Sequence, residues 1–380
     1  MPATPTQGHV VVAPDKFKGT LEGADVAARI AAGIRRAAPG VEVRELPVAD
    51  GGEGTLAAAL AAGFTRIPAK VAGPTGLPVD AALAVRGDTA VVELAQSSGL
   101  ARLPGGRTAP LAAGSYGVGQ LIARAVALGA KRIVLGLGGS ACTDGGAGMV
   151  QALGVGLRDA DGGELPPGGG ALRKLARIDL GPLAGVLAGV EVVVACDVDN
   201  PLLGPRGATA VYGPQKGADG GDLVVLEEGL TRFADLVGEA VGRDVREAPG
   251  AGAAGGVGFA ALALLGATMR PGIELMLELL GFDEAVRGAR LVVTGEGCLD
   301  AQTLHGKAPA GVAAAATRAG VRVAAVAGRL ELGEREWRAA GFTAAYALTD
   351  LAERPGDSMT RAAELAEVAG ERLALALLSG

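Results

Sequence analysis

Histidine is the scarcest catalytic residue in this chain: among 380 residues only His9 and His305 occur. Two histidines exclude the ligand sets of most metallohydrolases and leave little room for His-based nucleophilic chemistry. The three cysteines, Cys142, Cys196 and Cys298, are too few and too far apart for a disulfide framework or a zinc knuckle. Long apolar runs are missing too. Apolar residues make up 49% of the chain and mean hydropathy is +0.35, but Ala, Val and Leu are spread evenly. No uncharged apolar stretch reaches the roughly eighteen residues of a membrane span. Basic runs are absent and the formal net charge is −6, which argues against a nucleic-acid surface. The opening MPATPTQGHV has neither the basic patch nor the apolar segment of a secretory signal, so a cytoplasmic protein is expected.

What the chain has in abundance is glycine, 64 residues of it, with six in the stretch LGLGGSACTDGGAGM from Leu135 to Met149. So much bare backbone beside one acid serves either very tight chain packing or an anion lying against N–H groups.

The first sixty or so residues alternate strand and helix. HVVVAP and VEVRELPV read as strands; TLEGADVAARIAAGIRRAAPG and EGTLAAALAAG read as helices, the former capped by Thr20 and ended by Gly40. The last hundred residues resume this rhythm, with strands at Arg290, Val321 and Phe342 and helical runs between them. The middle differs: GLPVDAALAVRGDTAVVELA reads as a hairpin turning at Gly87–Asp88, and LRDADGGEL as another. The expected fold is α/β. A Rossmann-like, doubly wound parallel-sheet domain is built from both chain ends (residues 1–66 and 285–380). A mixed α/β domain is inserted at 67–284, with an active-site cleft between the two.

Charged, glycine-flanked loops follow several of the predicted strands. APDKFKGTL places Asp15, Lys16 and Lys18 past the first strand; VADGGEGT places Asp50 and Glu53 past the second; TGEGCLDAQTLHGKAP places Glu296, Asp300 and Lys307 past the strand at Arg290. One such loop is ordinary turn and cap chemistry, but three together point to a site, because C-terminal strand ends of a parallel sheet share one edge. In the inserted domain, GSACTDGGAGM follows the strand KRIVLG. There Gly138, Gly139 and Ser140 are expected to present N–H groups at a helix N-terminus, with Asp144 in the first helical turn. ACDVDNPLLGPRGA sets Asp197 and Asp199 past a strand, and GPQKGA sets Lys216 between glycines. Gly136, Gly138 and Ala141 fit G-x-G-x-x-A in strand-and-helix context, which keeps a nicotinamide-dependent oxidoreductase open; Gly250, Gly252 and Gly255 fit the pattern without a preceding strand. A non-catalytic anion-binding protein is a third reading, disfavoured because uncompensated carboxylates cost stability unless they are used. Many carboxylates, lone lysines, glycine-lined turns and almost no histidine suit phosphoryl transfer with ATP and Mg²⁺.

The blocks VVVAPDKFKGTL, PVADGGEGT, LGGSACTDGGAGM, CDVDNPLLGPRGA, GPQKGA, GAAGGVGFA and TGEGCLDAQTLHGKAP, in order from residue 10 to about residue 313, together resemble the bacterial ATP-dependent glycerate kinase family of the two-domain type. The resemblance implies phosphorylation of D-glycerate by Mg-ATP, with 2-phosphoglycerate as the expected product and the 3-isomer as the alternative. One departure stands out: Cys298 occupies a position where the family is expected to carry a basic residue, a role that would pass to Lys307 or Arg329. For this reaction Asp197 is the first choice for the base that accepts the hydroxyl proton, and Asp50 the second, with Lys16 beside them. Asp144, Glu53 and Glu296 are the metal candidates. Lys18, Lys216 and Lys307, with Gly138, Gly139 and Ser140, are the candidates for holding phosphates or the substrate carboxylate. Cys142, Cys196, Met149 and Phe259 read as packing residues and His305 as a loop residue with a smaller claim to catalysis. A homodimer is the assembly left open.

Overall fold

The computed structural model describes residues 8–378. The chain divides into two compact units. One comprises the chain up to Asp50, Ala57–Ala62 and the chain from Ile273 onward; the other comprises Gly51–Leu56 and Gly63–Gly272. Both are α/β, with parallel strands at the centre of the main sheet of each, and the second unit adds a small antiparallel pair, Gly156–Arg158 with Arg177–Asp179.

The first unit holds a five-stranded, all-parallel sheet in the order Phe342–Ala347, Arg322–Leu330, Leu291–Leu299, Val10–Val12, Val43–Glu45. Val10–Val12 is fully buried, as a strand covered on both faces must be, which explains its unbroken apolar run. Val10, Val12, Leu291, Val293, Ala324 and Val326 pack on the helices Gly23–Ala37 and Ala362–Leu377. The alternate residues Val11, Val292, Val323 and Ala325 are as deeply buried on the opposite face. The helix Ala308–Arg318 lies against these same strands.

In two places the structure departs from expectation. The first helix begins at Gly23 with Glu22 as N-cap, not on Thr20. The Thr20 hydroxyl instead donates to the Phe17 carbonyl, inside a turn closed by the Phe17–Leu21 bridge. The strand at Arg290 also runs further than expected. Leu291–Leu299 stays paired with its neighbour at Glu296↔Ala327 and Cys298↔Arg329, so Glu296 lies within the strand rather than beyond it.

The second unit holds a six-stranded mixed sheet, Thr268–Arg270, Glu191–Ala195, Arg132–Gly136, Thr89–Glu93, Pro78–Arg86, Thr65–Ala72. The first four strands are parallel and the last two antiparallel. The hairpin turns at Gly87–Asp88, with Gly87 at φ 60°. The edge strand Thr65–Ala72 carries Arg66, Pro68 and Lys70, residues that discourage pairing with a further strand. LRDADGGEL closes a tight turn in which the Asp159 N–H donates to the Gly163 carbonyl. The helices Tyr116–Ala127, Gly220–Val241 and Ala253–Leu264 supply the core, in which Phe233 and Phe259 meet edge to face at 5.9 Å.

Candidate active site

In the first unit, the turn after Val10–Val12 is stitched to the strand Leu291–Leu299. The Thr294 hydroxyl donates to the Ala13 carbonyl (2.7 Å) and the Asp15 N–H to the Gly295 carbonyl (2.8 Å). The Val48 N–H donates to the Pro14 carbonyl, which ties in the segment leading to Asp50. Three carboxyl groups, of Asp15, Asp50 and Glu296, therefore converge at the C-terminal edge of this sheet, where open parallel sheets bind ligands. Burial, reinforced by Asp50 and in smaller measure by Glu296, pushes the Asp15 pKa up to about 7 against the pull of the Lys16 N–H and ammonium. One Asp15 oxygen accepts the Lys16 N–H at 2.7 Å. Burial likewise raises Glu296, although its carboxylate accepts the Thr303 hydroxyl at 2.6 Å and feels the positive charge of Lys307. Lys307 stands as N-cap of the helix Ala308–Arg318, and Lys18 is exposed. The sequence pattern singles out Asp50, Glu296, Lys16 and Lys307 here. It does not choose Asp15 as a reacting group or foresee Thr303; the juxtaposition Pro14-Asp15-Lys16 is the available signal for the former.

Cys298 lies beside Arg329 on the neighbouring strand, and the thiol is the main contributor raising the Arg329 pKa; Arg329 also pairs with Glu331 at 2.8 Å. A guanidinium thus stands one strand away from where the family resemblance leads one to expect a basic side chain. His305 belongs to the short turn Thr303–His305, and its side chain lies outside the described residues.

In the second unit the glycine-rich stretch is first of all a packing device. A Cβ on Gly136 would lie 2.6 Å from the Gly51 carbonyl, and one on Gly138 would overlap the Gly52 Cα. Gly139, at φ 72°, lies against the Glu53 side chain, whose carboxylate is thereby set next to the loop. Gly51 in turn approaches Ala195 at the end of the strand Glu191–Ala195. Leu56 donates its N–H to the buried Glu93 carboxylate at 2.8 Å, which anchors this segment; in the sequence Glu93 is inconspicuous, one residue of a strand.

The expectation that Gly138, Gly139 and Ser140 stand at a helix N-terminus is not met: the helix begins at Ala147 and runs only to Ala152. Asp144 consequently precedes the helix instead of occupying its first turn. One Asp144 oxygen accepts the N–H and hydroxyl of Ser115 (2.8 and 2.9 Å) and the Gly148 N–H (3.0 Å), and the other accepts the Gly146 N–H (3.2 Å). The Ser115 hydroxyl also accepts the Met149 N–H. The first N–H groups of that short helix are therefore satisfied by protein, and the strand-to-helix context of a dinucleotide fingerprint is lost at Gly136–Ala141. Lys216 is buried, and its ammonium donates to Ser140 Oγ (2.9 Å) and the Cys142 carbonyl (2.7 Å); burial lowers its pKa. Burial pushes the Cys142 thiol up to about 12, in keeping with a packing role. Asp197 is exposed past the strand Glu191–Ala195, and its Oδ1 accepts the N–H of Gly272, the first residue of the helix Gly272–Leu280. Asp199 is exposed and pairs at 3.4 Å with Arg206.

Comparison with known proteins shows which family the chain resembles. Residues 10–378 match the profile of the glycerate kinase family. A glycerate kinase of Bacillus subtilis (strain 168) is 45% identical over 361 residues, 94% of each chain. A glycerate 2-kinase of Escherichia coli (strain K12) is 45% identical over 325 residues, 84% of this chain and 85% of that protein. A crystal structure designated glycerate kinase 2, from Salmonella typhimurium LT2, superposes with a TM-score of 0.87 at 40% identity and covers 99% of both chains. On family profile, sequence identity and fold together, the chain belongs to the glycerate kinase family.

Proposed function

We propose that this protein transfers the γ-phosphoryl group of ATP to a hydroxyl of D-glycerate and that the product is 2-phosphoglycerate. The observation that carries the chemistry is the convergence of Asp15, Asp50 and Glu296 at one sheet edge with Lys16 and Lys307 among them. Phosphoryl transfer asks of a protein mainly charge and position, and this edge supplies both. The choice of the 2-hydroxyl is supported by the name of the Escherichia coli relative.

All three carboxyl groups are hard oxygen donors, and their mutual repulsion is what a divalent cation relieves, so the donor set fits Mg²⁺. Glu296 is the residue of this cluster proposed to hold it. When bound, Mg²⁺ neutralises charge on the transferring phosphate. Asp144 has both oxygens engaged by protein donors and does not fit a metal role. Lys16, Lys18 and Lys307 are proposed to balance phosphate and substrate carboxylate charge. For the proton of the reacting hydroxyl, Asp50 is the proposed acceptor, because it lies within the carboxylate cluster. Asp197 remains the alternative, its carboxylate already drawn to the Gly272 N–H.

The deciding experiment incubates the purified protein with Mg-ATP and D-glycerate and identifies the product by NMR. A 2-phosphoglycerate signal is expected; 3-phosphoglycerate would move the reacting hydroxyl and keep the kinase, and no phosphoglycerate would overturn the reading. Asp50→Asn should lower kcat by about 10²- to 10⁴-fold with circular dichroism unchanged. If Asp197→Asn does so instead, the proton acceptor is Asp197.

A further inference from the structure

Among the described residues no lysine other than Lys216 is buried; it is 2% exposed. It ends the turn Pro214–Lys216, and Gly217 follows in a left-handed conformation with φ 89°. A Cβ on Gly217 would strike the Thr108 side chain, so the turn is fixed from outside as well. Its ammonium donates to a hydroxyl and a carbonyl, those of Ser140 and Cys142, and not to a carboxylate. A buried ammonium held this way has given up its hydration for two neutral acceptors, which makes it a costly way to fill space. Such a group is retained where it does something packing alone does not.

What it grips is the loop between the strand Arg132–Gly136 and the helix Ala147–Ala152, which has no regular structure of its own. Three backbone hydrogen bonds fasten its first half: Gly138 N–H to Gly51 O, Leu100 N–H to Gly139 O, and Ala141 N–H to Ser98 O. The N–H groups of Gly139 and Ser140 take no acceptor among the described residues. Two adjacent backbone donors on a fixed turn form a seat for an anion, and the Lys216 ammonium is already engaged by Ser140 Oγ and the Cys142 carbonyl.

We infer that Lys216 is a positioning residue for the nucleotide: by clamping Ser140 Oγ and the Cys142 carbonyl it keeps the Gly139 and Ser140 N–H groups set for a phosphate of ATP. The inference rests on the kinase reading above and replaces the direct phosphate contact expected of this lysine from sequence.

The test is calorimetric titration of Mg-ATP, without acceptor, into the wild type, Lys216→Met and Ser140→Ala, with thermal midpoints and D-glycerate turnover measured in parallel. Lys216→Met is expected to lower the thermal midpoint only as far as the two lost hydrogen bonds require, and to weaken ATP binding at least about tenfold. Ser140→Ala, which leaves the bond to Cys142, is expected to weaken it about threefold. A purely structural lysine would show a lower midpoint with ATP affinity unchanged, and that result overturns the inference. Should Lys216→Met fail to fold, Ser140→Ala decides: wild-type affinity in that variant overturns it too. A wild type that binds ATP but leaves D-glycerate untouched sinks the kinase reading alone. A wild type that phosphorylates D-glycerate while Lys216→Met binds ATP normally sinks the positioning role alone.

Discussion

At the scale of single residues, the electrostatics of Asp15 set a pH dependence whose sign can be worked out. Its carboxyl titrates near 7 in the folded chain against an ordinary value of 3.8. Below about pH 4 the group is neutral whether folded or unfolded and contributes no pH dependence. Between about pH 4 and pH 7 the unfolded chain gives up this proton while the folded chain keeps it, so stability falls as pH rises. Above 7 the group ionises in its buried place facing Asp50 and Glu296, and the loss levels off. A rise in pKa from 3.8 to about 7 bounds the whole loss at about 4 kcal/mol. In metal-free protein the thermal midpoint should therefore fall more between pH 5 and pH 8 for the wild type than for Asp15→Asn. Equal falls would show that Asp15 does not carry the penalty. Mg²⁺ should raise the wild-type midpoint more at pH 8 than at pH 5, because protons and cation compete for the same carboxylates. At this scale the sequence was informative about which loops carry charge and less so about what each charge does. Asp50, Glu296 and Lys307 were legible as charged residues of one sheet edge, although Glu296 lies inside its strand and Lys307 caps a helix. Asp144 and Lys216 looked equally functional, yet they are turned inward onto Ser115 and onto Ser140, and only three-dimensional packing reveals such partners.

Among the elements, the pairing of the helices Gly23–Ala37 and Ala362–Leu377 shows where glycine is required. A Cβ on Gly33 would overlap the Glu367 carbonyl and lie 2.7 Å from the Glu371 N; one on Gly370 would overlap the Ile30 carbonyl. Both obstacles are backbone atoms, which cannot swing aside as a flexible side chain would. Gly33→Ala gains about 1 kcal/mol of helix propensity but must force the two helices apart, so a net loss of roughly 2 kcal/mol or more is expected in urea unfolding. A neutral or stabilising Gly33→Ala would mean that the helices separate freely. The ion pairs along this contact, Arg29 and Arg36 with Glu367 and Arg36 with Glu371, are largely exposed on the arginine side and add little beside it. Apolar periodicity made the Gly23–Ala37 helix plain from sequence. It did not reveal the strand Thr65–Ala72, whose side chains are mostly exposed or half-buried and include a proline, so no clean alternation marks it. Nor did it place the end of Leu291–Leu299: the sequence reads as strand to Gly297 at most, with a charged loop following, whereas the parallel neighbour carries the pairing on to Leu299.

Across the whole molecule, the chain's two ends meet in one sheet. Val10–Val12 is hydrogen-bonded to Leu291–Leu299 on one side and to Val43–Glu45 on the other, so the sheet cannot form from either end alone. The strand-helix rhythm at both ends made a shared parallel sheet readable from sequence, since sequence-distant strands of one type seek one sheet. The second unit poses the opposite case. Apart from Gly51–Leu56 it is one continuous run, Gly63–Gly272, with its own six-stranded sheet and its own core around Leu135, Met149, Phe233 and Phe259. Gly51–Leu56 belongs with it because Gly51 and Gly52 fill the space that Gly136 and Gly138 leave, and because Leu56 donates to Glu93. A polypeptide of residues 51–272 is thus expected to fold by itself, with native-like α/β circular dichroism and a cooperative thermal transition. Residues 8–62 alone, carrying two strands whose central partner is absent, are expected to stay unfolded. Starting the longer piece at residue 63 should lower its midpoint, because Glu93 then loses the Leu56 N–H and a buried carboxylate is left short of a donor. If 51–272 melts without cooperativity, its core depends on the rest of the chain and the unit does not fold alone. If 63–272 is as stable as 51–272, the glycine contacts at Gly136 and Gly138 set the path of the glycine-rich loop and not the stability of the fold.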